Sequence, residues 1–198
     1  MGDNLKNLKK YTLEEAIKNR RTIREITGKN IPAEYLELLT WAAFGITLKD
    51  RGDKYRTAPS AGATYPIEIQ VFVERVDGYQ DGIYIYDTGS ECLKIFKPGI
   101  FLPEVQKMSW DQEFVSLSNA VFVTVYDPRK IERDYGDKSR DYALLECGHI
   151  AQNILLTATA LKLGSVPVGA FSQRRLSGLL DLKQGKTPLY MVCVGTID

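Results

Sequence analysis

The residues of this sequence that could do chemistry are those of a ligand cradle. Residues 59–66 form a loop of mostly small side chains with a proline at either end: Pro59, Ser60, Ala61, Gly62, Ala63, Thr64, Tyr65 and Pro66. Because small side chains let backbone amides approach a flat ligand closely, we interpret this loop as half of a flavin cradle. Taken alone, it fits an ordinary turn before a strand better. The interpretation depends on two further stretches in the same domain, residues 19–24 and 167–171.

A basic stretch near the start of the chain would form the other half of the cradle. It contains Arg20, Arg21, Thr22 and Arg24. If the backbone is extended there, the side chains of Arg20, Thr22 and Arg24 point the same way. Two guanidiniums and a hydroxyl on one face suit a phosphate dianion. A solvated surface run is the simpler alternative, since short basic runs are common.

Composition limits the classes of function. The chain has 198 residues, 44% apolar and 26% charged, so we expect one compact domain over residues 1–198. A net charge of +1, without a basic run interleaved with aromatics, argues against nucleic acid as a partner. The cysteines Cys92, Cys147 and Cys193 form no C-x-x-C pair, which predicts buried thiols in a reducing compartment and no zinc site. No stretch has the length of a signal peptide's apolar core or of a membrane span, which predicts a soluble, cytoplasmic protein without a membrane partner.

No catalytic pair stands out among the titratable side chains. The only histidine, His149, lies in an apolar helical pattern without a second histidine or a nucleophile elbow, so we expect an interior residue and neither a metal nor a hydrolase site. Asp134, Asp137 and Asp141 are too mixed with Lys and Arg to form an acid and base pair. Neither G-x-G-x-x-G after a strand nor G-x-x-x-x-G-K-[ST] is present, so dinucleotide folds and nucleoside triphosphatases have no motif here.

The elements that must position these residues alternate between helices and strands. Thr12 and Glu15 predict a capping box before a short helix that ends near Asn19, and Pro32 and Gly45 delimit a second helix. Residues 142–163 predict a helix that is apolar on several sides, which indicates deep burial or a subunit interface. Residues 120–126 are a nearly continuous apolar run, which is typical of a strand covered on both faces. The other patterns predict strands at 67–73, 83–86, 93–96 and 188–195, a helix at 103–118 and a surface connection at 47–57.

The order of these segments resembles the FMN-dependent nitroreductase family. It is most similar to the branch of dehydrogenases that oxidise azoline rings in thiazole- and oxazole-modified peptides. The resemblance extends over nearly the whole chain from Tyr11, and the matching stretches are residues 20–24, 59–66, 111–113, 134–140, 145–153 and 168–171. Each motif is weak alone, whereas six of them in the right order are specific.

The resemblance implies an α+β fold with a central, mostly antiparallel sheet flanked by helices, and an intertwined homodimer with two FMN molecules at its interface. Arg20, Thr22 and Arg24 would hold the phosphate with help from Arg21. The backbone of Gly169 and Ala170 would lie by the flavin N5 and O4, where donors stabilise the reduced ring. Further contacts implied for the isoalloxazine ring are Gln112 and, from the partner subunit, the small-residue loop: Pro59, Ser60, Ala61, Gly62 and Ala63.

The chain departs from the family pattern in two places. Many nitroreductases carry basic residues after the last strand that reach the phosphate, and we find no counterpart before Asp198. Arg174 or Arg175 is the candidate replacement. The additional N-terminal sequence with which the azoline branch could recognise a peptide also has no counterpart, which disfavours a peptide-modifying role.

The implied reaction is a ping-pong transfer. NAD(P)H reduces FMN, and a nitroaromatic, quinone or similar acceptor then takes hydride or electrons in the same space. No dedicated acid or base is needed, which agrees with the absence of a catalytic pair. Two alternatives stay open. One is an FMN-dependent dehydrogenase of a small molecule or azoline peptide that uses oxygen, with a tyrosine or lysine near the ring as base, for which the sequence offers Tyr65, Tyr84 and Tyr86. The other is a flavin-binding sensor or carrier without turnover.

Overall fold

A six-stranded antiparallel sheet forms the centre of the computed structural model, which describes residues 12–50 and 53–198. Strands β1 to β8 span Ile46–Asp50, Asp53–Arg56, Ile67–Val73, Gly82–Asp87, Cys92–Pro98, Ala120–Tyr126, Gly164–Val168 and Thr187–Gly195. Helices α1 to α7 span Leu13–Asn19, Ala33–Phe44, Leu102–Met108, Phe114–Leu117, Glu132–Tyr135, Ser139–Ala160 and Gln173–Leu179. The order in the large sheet is β5-β4-β3-β6-β8-β7, and β1 pairs with β2 in a separate hairpin.

Strand β6 lies near the middle of the sheet, between β3 and β8. All seven of its residues are buried, as the continuous apolar run predicted. A strand in this position must be covered by side chains on both faces, which is why it lacks the alternation of a half-exposed strand. The predicted strand at 67–73 and the predicted hairpin of 83–86 with 93–96 are also confirmed.

Helices cover both faces of the sheet. Helices α2 and α6 share one apolar cluster with Val71, Phe122 and Val192. Helices α3, α4 and α7 share a second cluster with Phe72 and Met191 on the opposite face. Neighbouring strand residues such as Val71 and Phe72 enter different clusters because successive side chains point to opposite faces. The fold is therefore the predicted α+β arrangement of a central antiparallel sheet flanked by helices.

The helix boundaries follow from their caps. Glu15 donates its backbone N–H to Thr12 Oγ1 at 3.2 Å and accepts from the Thr12 amide at 2.7 Å, so the predicted capping box is present. Pro32 occupies the N-cap position of α2 without a side-chain hydrogen bond, and Gly45 ends the helix. A Cβ on Gly45 would lie 2.2 Å from Trp41 Cδ1, so only glycine fits there. Among the described residues, no helix is both long and apolar enough to cross a membrane.

Two sequence predictions of local structure are wrong. The segment at 47–57, predicted as a surface connection, contains the β1–β2 hairpin. The single helix predicted at 103–118 is two short helices, α3 and α4. Between them Trp110 and Asp111 adopt positive φ angles of 57° and 56°, which no α-helix accommodates. Cys92, predicted to be a buried thiol, is exposed on β5, whereas the other two cysteines are buried.

Candidate functional site

Residues 19–24, which we call the basic segment, lie beside the first residues of β7, the last strand in the sheet order. The chain leaves α1 in an extended conformation at Arg20, and the Ile23 amide donates to the Ser165 carbonyl at 3.2 Å. Thr22 and Arg24 are exposed and Arg20 is half-buried. The Arg21 guanidinium turns back and donates to the carbonyls of Lys18 and Arg20. Arg21 therefore closes the end of α1, and the other three side chains remain available to a ligand.

Gly169 and Ala170 leave the opposite end of the same strand, and both are exposed. A Cβ on Gly169 would lie 3.9 Å from its nearest neighbour, Tyr190 Cε2, which is ordinary contact. Packing within the chain therefore does not require glycine there. Ser165 and Gly169 are four residues apart, which in a strand is about 13 Å. The basic segment and the open backbone of Gly169 and Ala170 thus flank one edge of the sheet.

The loop that carries Gln112 joins this group through α3. The Ser172 amide donates to the Met108 carbonyl at 2.8 Å, which ties the segment after Ala170 to the end of α3. Gln112 is half-buried and donates through Nε2 to the Ser109 carbonyl at 2.8 Å. Gln112 is therefore near the Ala170 end of β7 and not near the basic segment.

The candidate replacement for the missing phosphate contact is not brought to the basic segment. Arg174 and Arg175 lie in the first turn of α7, beyond the Ala170 end of β7, and Arg175 Nη1 approaches the Lys107 carbonyl at 3.5 Å. The basic segment lies at the other end of that strand. Lys162 is an exposed basic residue at the basic-segment end of β7. It lies two positions before Gly164, and Gly164 is close to the basic segment, since a Cβ added to it would lie 3.6 Å from Ile23 Cβ.

The small-residue loop adopts a conformation that needs its sequence. Residues 61–63 form a 3₁₀ turn, and positive φ angles occur at Gly62, Ala63 and Tyr65 (55°, 53° and 48°). Ser60 holds the turn, because its Oγ accepts from the Tyr65 amide at 2.9 Å and its carbonyl accepts from the Ala63 amide at 3.2 Å. Two non-glycine residues in the left-handed region indicate local strain, which is typical of functional loops.

A cavity of about 250 Å³ lies between this loop and α6. From the loop it is lined by Pro59, Ser60 and Ala61, and from the helix by Tyr142, Leu145, Glu146 and His149. The helix residues share one face because positions three and four apart are neighbours on a helix. His149 is exposed there, so its prediction as an interior residue is wrong. The apolar pattern of α6 does not reveal which of its sides the rest of the chain leaves uncovered.

Glu146 is the residue of this cavity that sequence reasoning missed. Its side chain is only 2% exposed, and both carboxylate oxygens are buried without a well-formed hydrogen bond. Desolvation raises its pKa to about 7, although the Ser60 hydroxyl, the Ile67 amide and the charges of Arg56 and Lys130 act in the opposite direction. A signal existed in the sequence: Glu146 lies three positions after Ala143 and four before Ile150, on the buried face of the helix.

The small-residue loop and the Gly169 edge are separate within one chain. The loop leads into β3, whereas Gly169 follows β7, and the strands between them are β6 and β8. Three strand spacings correspond to about 14 Å. One chain therefore brings the basic segment, Gln112 and Gly169–Ala170 to one edge, and carries residues 59–63 elsewhere.

The model of the Nitroreductase family matches residues 17–196. The chain belongs to the nitroreductase family. A Methanocaldococcus jannaschii protein named "Putative nitroreductase" is 33% identical to it over 199 aligned positions, and the alignment covers 98% of each chain. A nitroreductase-family assignment makes the protein an oxidoreductase. The resemblance to this family that the six motifs indicate is thereby confirmed, whereas the closer similarity to the azoline dehydrogenases stays a prediction.

Solved structures with the nitroreductase fold support the architecture. A "putative nitroreductase" from Ralstonia eutropha JMP134 aligns with a TM-score of 0.82 and 23% identity, over 96% of this chain and 84% of that one. A chain of the E. coli microcin synthetase McbBCD complex aligns with a TM-score of 0.75 and 21% identity, over 92% of this chain and 73% of that one. The NADPH:FMN oxidoreductase of Vibrio harveyi aligns with a TM-score of 0.66 and 20% identity, over 94% of this chain and 69% of that one. At these identities the likeness concerns the fold.

Proposed function

We propose that the protein is an FMN-dependent oxidoreductase that transfers hydride or electrons from NAD(P)H to a nitroaromatic, quinone or similar acceptor. The observation that carries the proposal is the edge of β7, with basic side chains at one end and open glycine backbone at the other, about 13 Å apart. That spacing suits the extended ribityl phosphate chain of FMN. Family membership and the fold of the Vibrio harveyi NADPH:FMN oxidoreductase support the same cofactor and reductant.

The residues present fit FMN. Arg20, Thr22 and Arg24 would bind its phosphate through charge-assisted hydrogen bonds, and Lys162 adds a further cation at that end. The backbone of Gly169 and Ala170 would donate to the pyrimidine side of the ring, where fixed donors stabilise developing negative charge. Gln112 would contact the ring from the loop after α3. When bound, the flavin supplies the storage of hydride between the two half-reactions.

The site requires a second copy of the chain. Within one chain, residues 59–63 lead into β3, which lies three strand spacings, or about 14 Å, from β7, so we infer that they do not cover a ring seated at Gly169. The face of α6 beside them exposes Leu144 and Leu145 by 45% and 62%, and α1 exposes Leu13 and Ile17 by 69% and 57%. Exposed apolar side chains of this size are typical of an interface. We therefore propose a homodimer, each protomer a single domain, in which the small-residue loop of one copy closes the flavin site of the other.

The tyrosines Tyr84 and Tyr86 are poorly suited to act as a catalytic base beside the flavin. Burial raises the pKa of Tyr84 and raises that of Tyr86 to about 12. Tyr84 also donates its hydroxyl to the Gln80 carbonyl at 2.8 Å. Both phenols therefore stay protonated and are poor bases, which weighs against Tyr84 and Tyr86 as the base of a substrate dehydrogenase.

An anaerobic visible spectrum tests the proposal. The purified protein, supplemented with FMN and freed of excess cofactor, is mixed with NADH or NADPH. We expect the absorbance of the bound oxidised flavin near about 450 nm to be lost within seconds and to return when a quinone or nitroaromatic is added. If flavin binds but neither nucleotide reduces it, the dehydrogenase or carrier takes precedence. If no flavin binds, the proposal is wrong.

A further inference from the structure

A second, larger cavity of about 440 Å³ lies on the β3–β4 side of the small-residue loop. We call it the Arg56 cavity. Its aromatic lining is Phe44, Tyr65 and Tyr86, and its basic residues are Arg56 and Lys130. None of the residues assigned above to the flavin lines it. Its volume is within the range of small-molecule sites, which are mostly apolar with a few convergent polar groups.

Arg56 is held rigidly at this cavity. Its guanidinium carbon lies 4.4 Å from the centroid of the Phe44 ring and 4.8 Å from that of Tyr65. Nη1 donates to the Phe44 carbonyl at 3.1 Å, whereas Nε is buried without an acceptor. Both rings stabilise the cation, and they stand nearly perpendicular to each other, with an interplanar angle of 81°. Because they lie on neighbouring sides of the guanidinium and do not enclose it, its remaining N–H groups can form hydrogen bonds with a ligand.

The positive charge of Arg56 has no counter-ion of its own in the described part of the chain. The two carboxylates of the cavity wall are already paired: Glu68 with Lys186 at 2.7 Å and with Lys130 at 3.2 Å, and Asp87 with Lys94. No carboxylate with a described side chain is within ion-pair distance of Arg56. Desolvation accordingly lowers the pKa of Arg56, with Tyr65, Tyr86 and more distant acids opposing it. A partly buried charge without a counter-ion is costly, and an anion bound beside it would remove that cost.

We propose that the Arg56 cavity binds a planar aromatic carboxylate, with the carboxylate on the edge of the Arg56 guanidinium and the ring between Tyr65 and Tyr86. A guanidinium presents donors in the geometry that a carboxylate accepts. The phenol of Tyr86 stays protonated at neutral pH and can donate a further hydrogen bond. Apolar wall residues such as Ile69 and Ile85 provide the surface that a ring, and not a bare ion, would cover.

Calorimetric titration with benzoate and benzamide tests the proposal. The two probes share a ring and a shape and differ in charge. With the protein saturated with FMN, so that the flavin's phosphate site is blocked, we expect benzoate to bind at least about tenfold more tightly than benzamide. Arg56→Gln should abolish that preference, and Lys130→Gln, a change of a cation already paired with Glu68, should leave most of it. Equal binding of the two probes, or no binding of benzoate, would overturn the proposal.

Two controls separate this result from other causes. Arg24→Gln, in the basic segment, should leave benzoate binding unchanged; if it removes the binding, benzoate occupies the phosphate site and the proposal fails. If Arg56→Gln does not fold, as judged by circular dichroism, the comparison of the two probes on the unmodified protein still decides. The titration can be repeated without FMN, so failure of the proposed flavin function would not affect its outcome.

Discussion

We expect Glu146→Gln to make the protein more stable at pH 8 and to leave its stability nearly unchanged at pH 4. The carboxylate is 2% exposed, and its pKa rises from 4.5 to about 7 on folding. Above pH 4.5 the unfolded chain releases this proton, whereas the folded chain keeps it until about pH 7. The unfolded state therefore binds fewer protons in that window, and the free energy of unfolding falls as the pH rises through it.

The size of the effect follows from the same shift. A difference of about 2.5 pKa units corresponds to about 3 kcal/mol, which the wild type loses between about pH 4.5 and pH 7 and the glutamine variant does not. Urea unfolding followed by circular dichroism at pH 4, 6 and 8 measures it. Protein concentration is held fixed, because an oligomer's stability depends on it. Glu37→Gln, at an exposed position of α2, is the matched control and should show no such difference.

One result would refute this reasoning. If Glu146→Gln is less stable than the wild type at pH 8, the hydrogen bonds from Ser60 and the Ile67 amide stabilise the ionised carboxylate by more than its burial costs, and its pKa is not raised on folding. The loop would then depend on the charge of Glu146. A difference that is the same at every pH would show that Glu146 does not titrate on its own in this range.

Three further outcomes are expected. Arg24→Gln should weaken FMN binding by about 10- to 100-fold, the effect of one charge-assisted hydrogen bond, in a fluorescence titration for which Lys29→Gln is the control; equal losses in both variants would disprove the phosphate assignment. Gly62→Ala should lower the free energy of unfolding by at least about 1 kcal/mol, because φ is 55° and the added Cβ would lie 2.6 Å from a tyrosine hydroxyl, whereas Gly178→Ala, in open space on α7, should not destabilise. Leu145→Glu should shift the protein to a monomer in sedimentation experiments and reduce flavin binding, and an unchanged dimer would place the interface elsewhere.

Elements with a single dominant cause were predictable from the sequence. Strand β6 was evident because burial on both faces requires an unbroken apolar run, and α1 because Thr12 and Glu15 cap it. The break between α3 and α4 was not predictable, because Trp110 and Asp111, both exposed, adopt positive φ angles without a glycine to mark them. A helical apolar pattern does not record such a break in the backbone.

The candidate site was predictable only in its parts. The order of the motifs is enough to identify the family, and with it the small-residue loop, the basic segment and Gly169. It did not predict that Glu146 would be buried beneath Ser60, because that contact joins residues 86 positions apart. Nor did it predict that His149 would be exposed, since α6 is apolar on more sides than one chain covers. Periodicity along α6 places Glu146 on the buried face of the helix, but it does not show which residue Glu146 meets there or which side of α6 stays uncovered, because both depend on which elements are adjacent in space.

The position of β6 between β3 and β8 has a consequence for how the chain folds. About 46 residues separate β3 from β6 and about 60 separate β6 from β8, so two long loops must close before the central strand has both neighbours. At the β5 end of the large sheet, by contrast, β3 pairs with β4 and β4 with β5, and these strands follow one another directly along the chain. We therefore expect the β3–β4–β5 meander to form early and the apolar strand β6 to wait for β8. During synthesis that strand is the segment at greatest risk of aggregation, until residues 187–195 have emerged to pair with it.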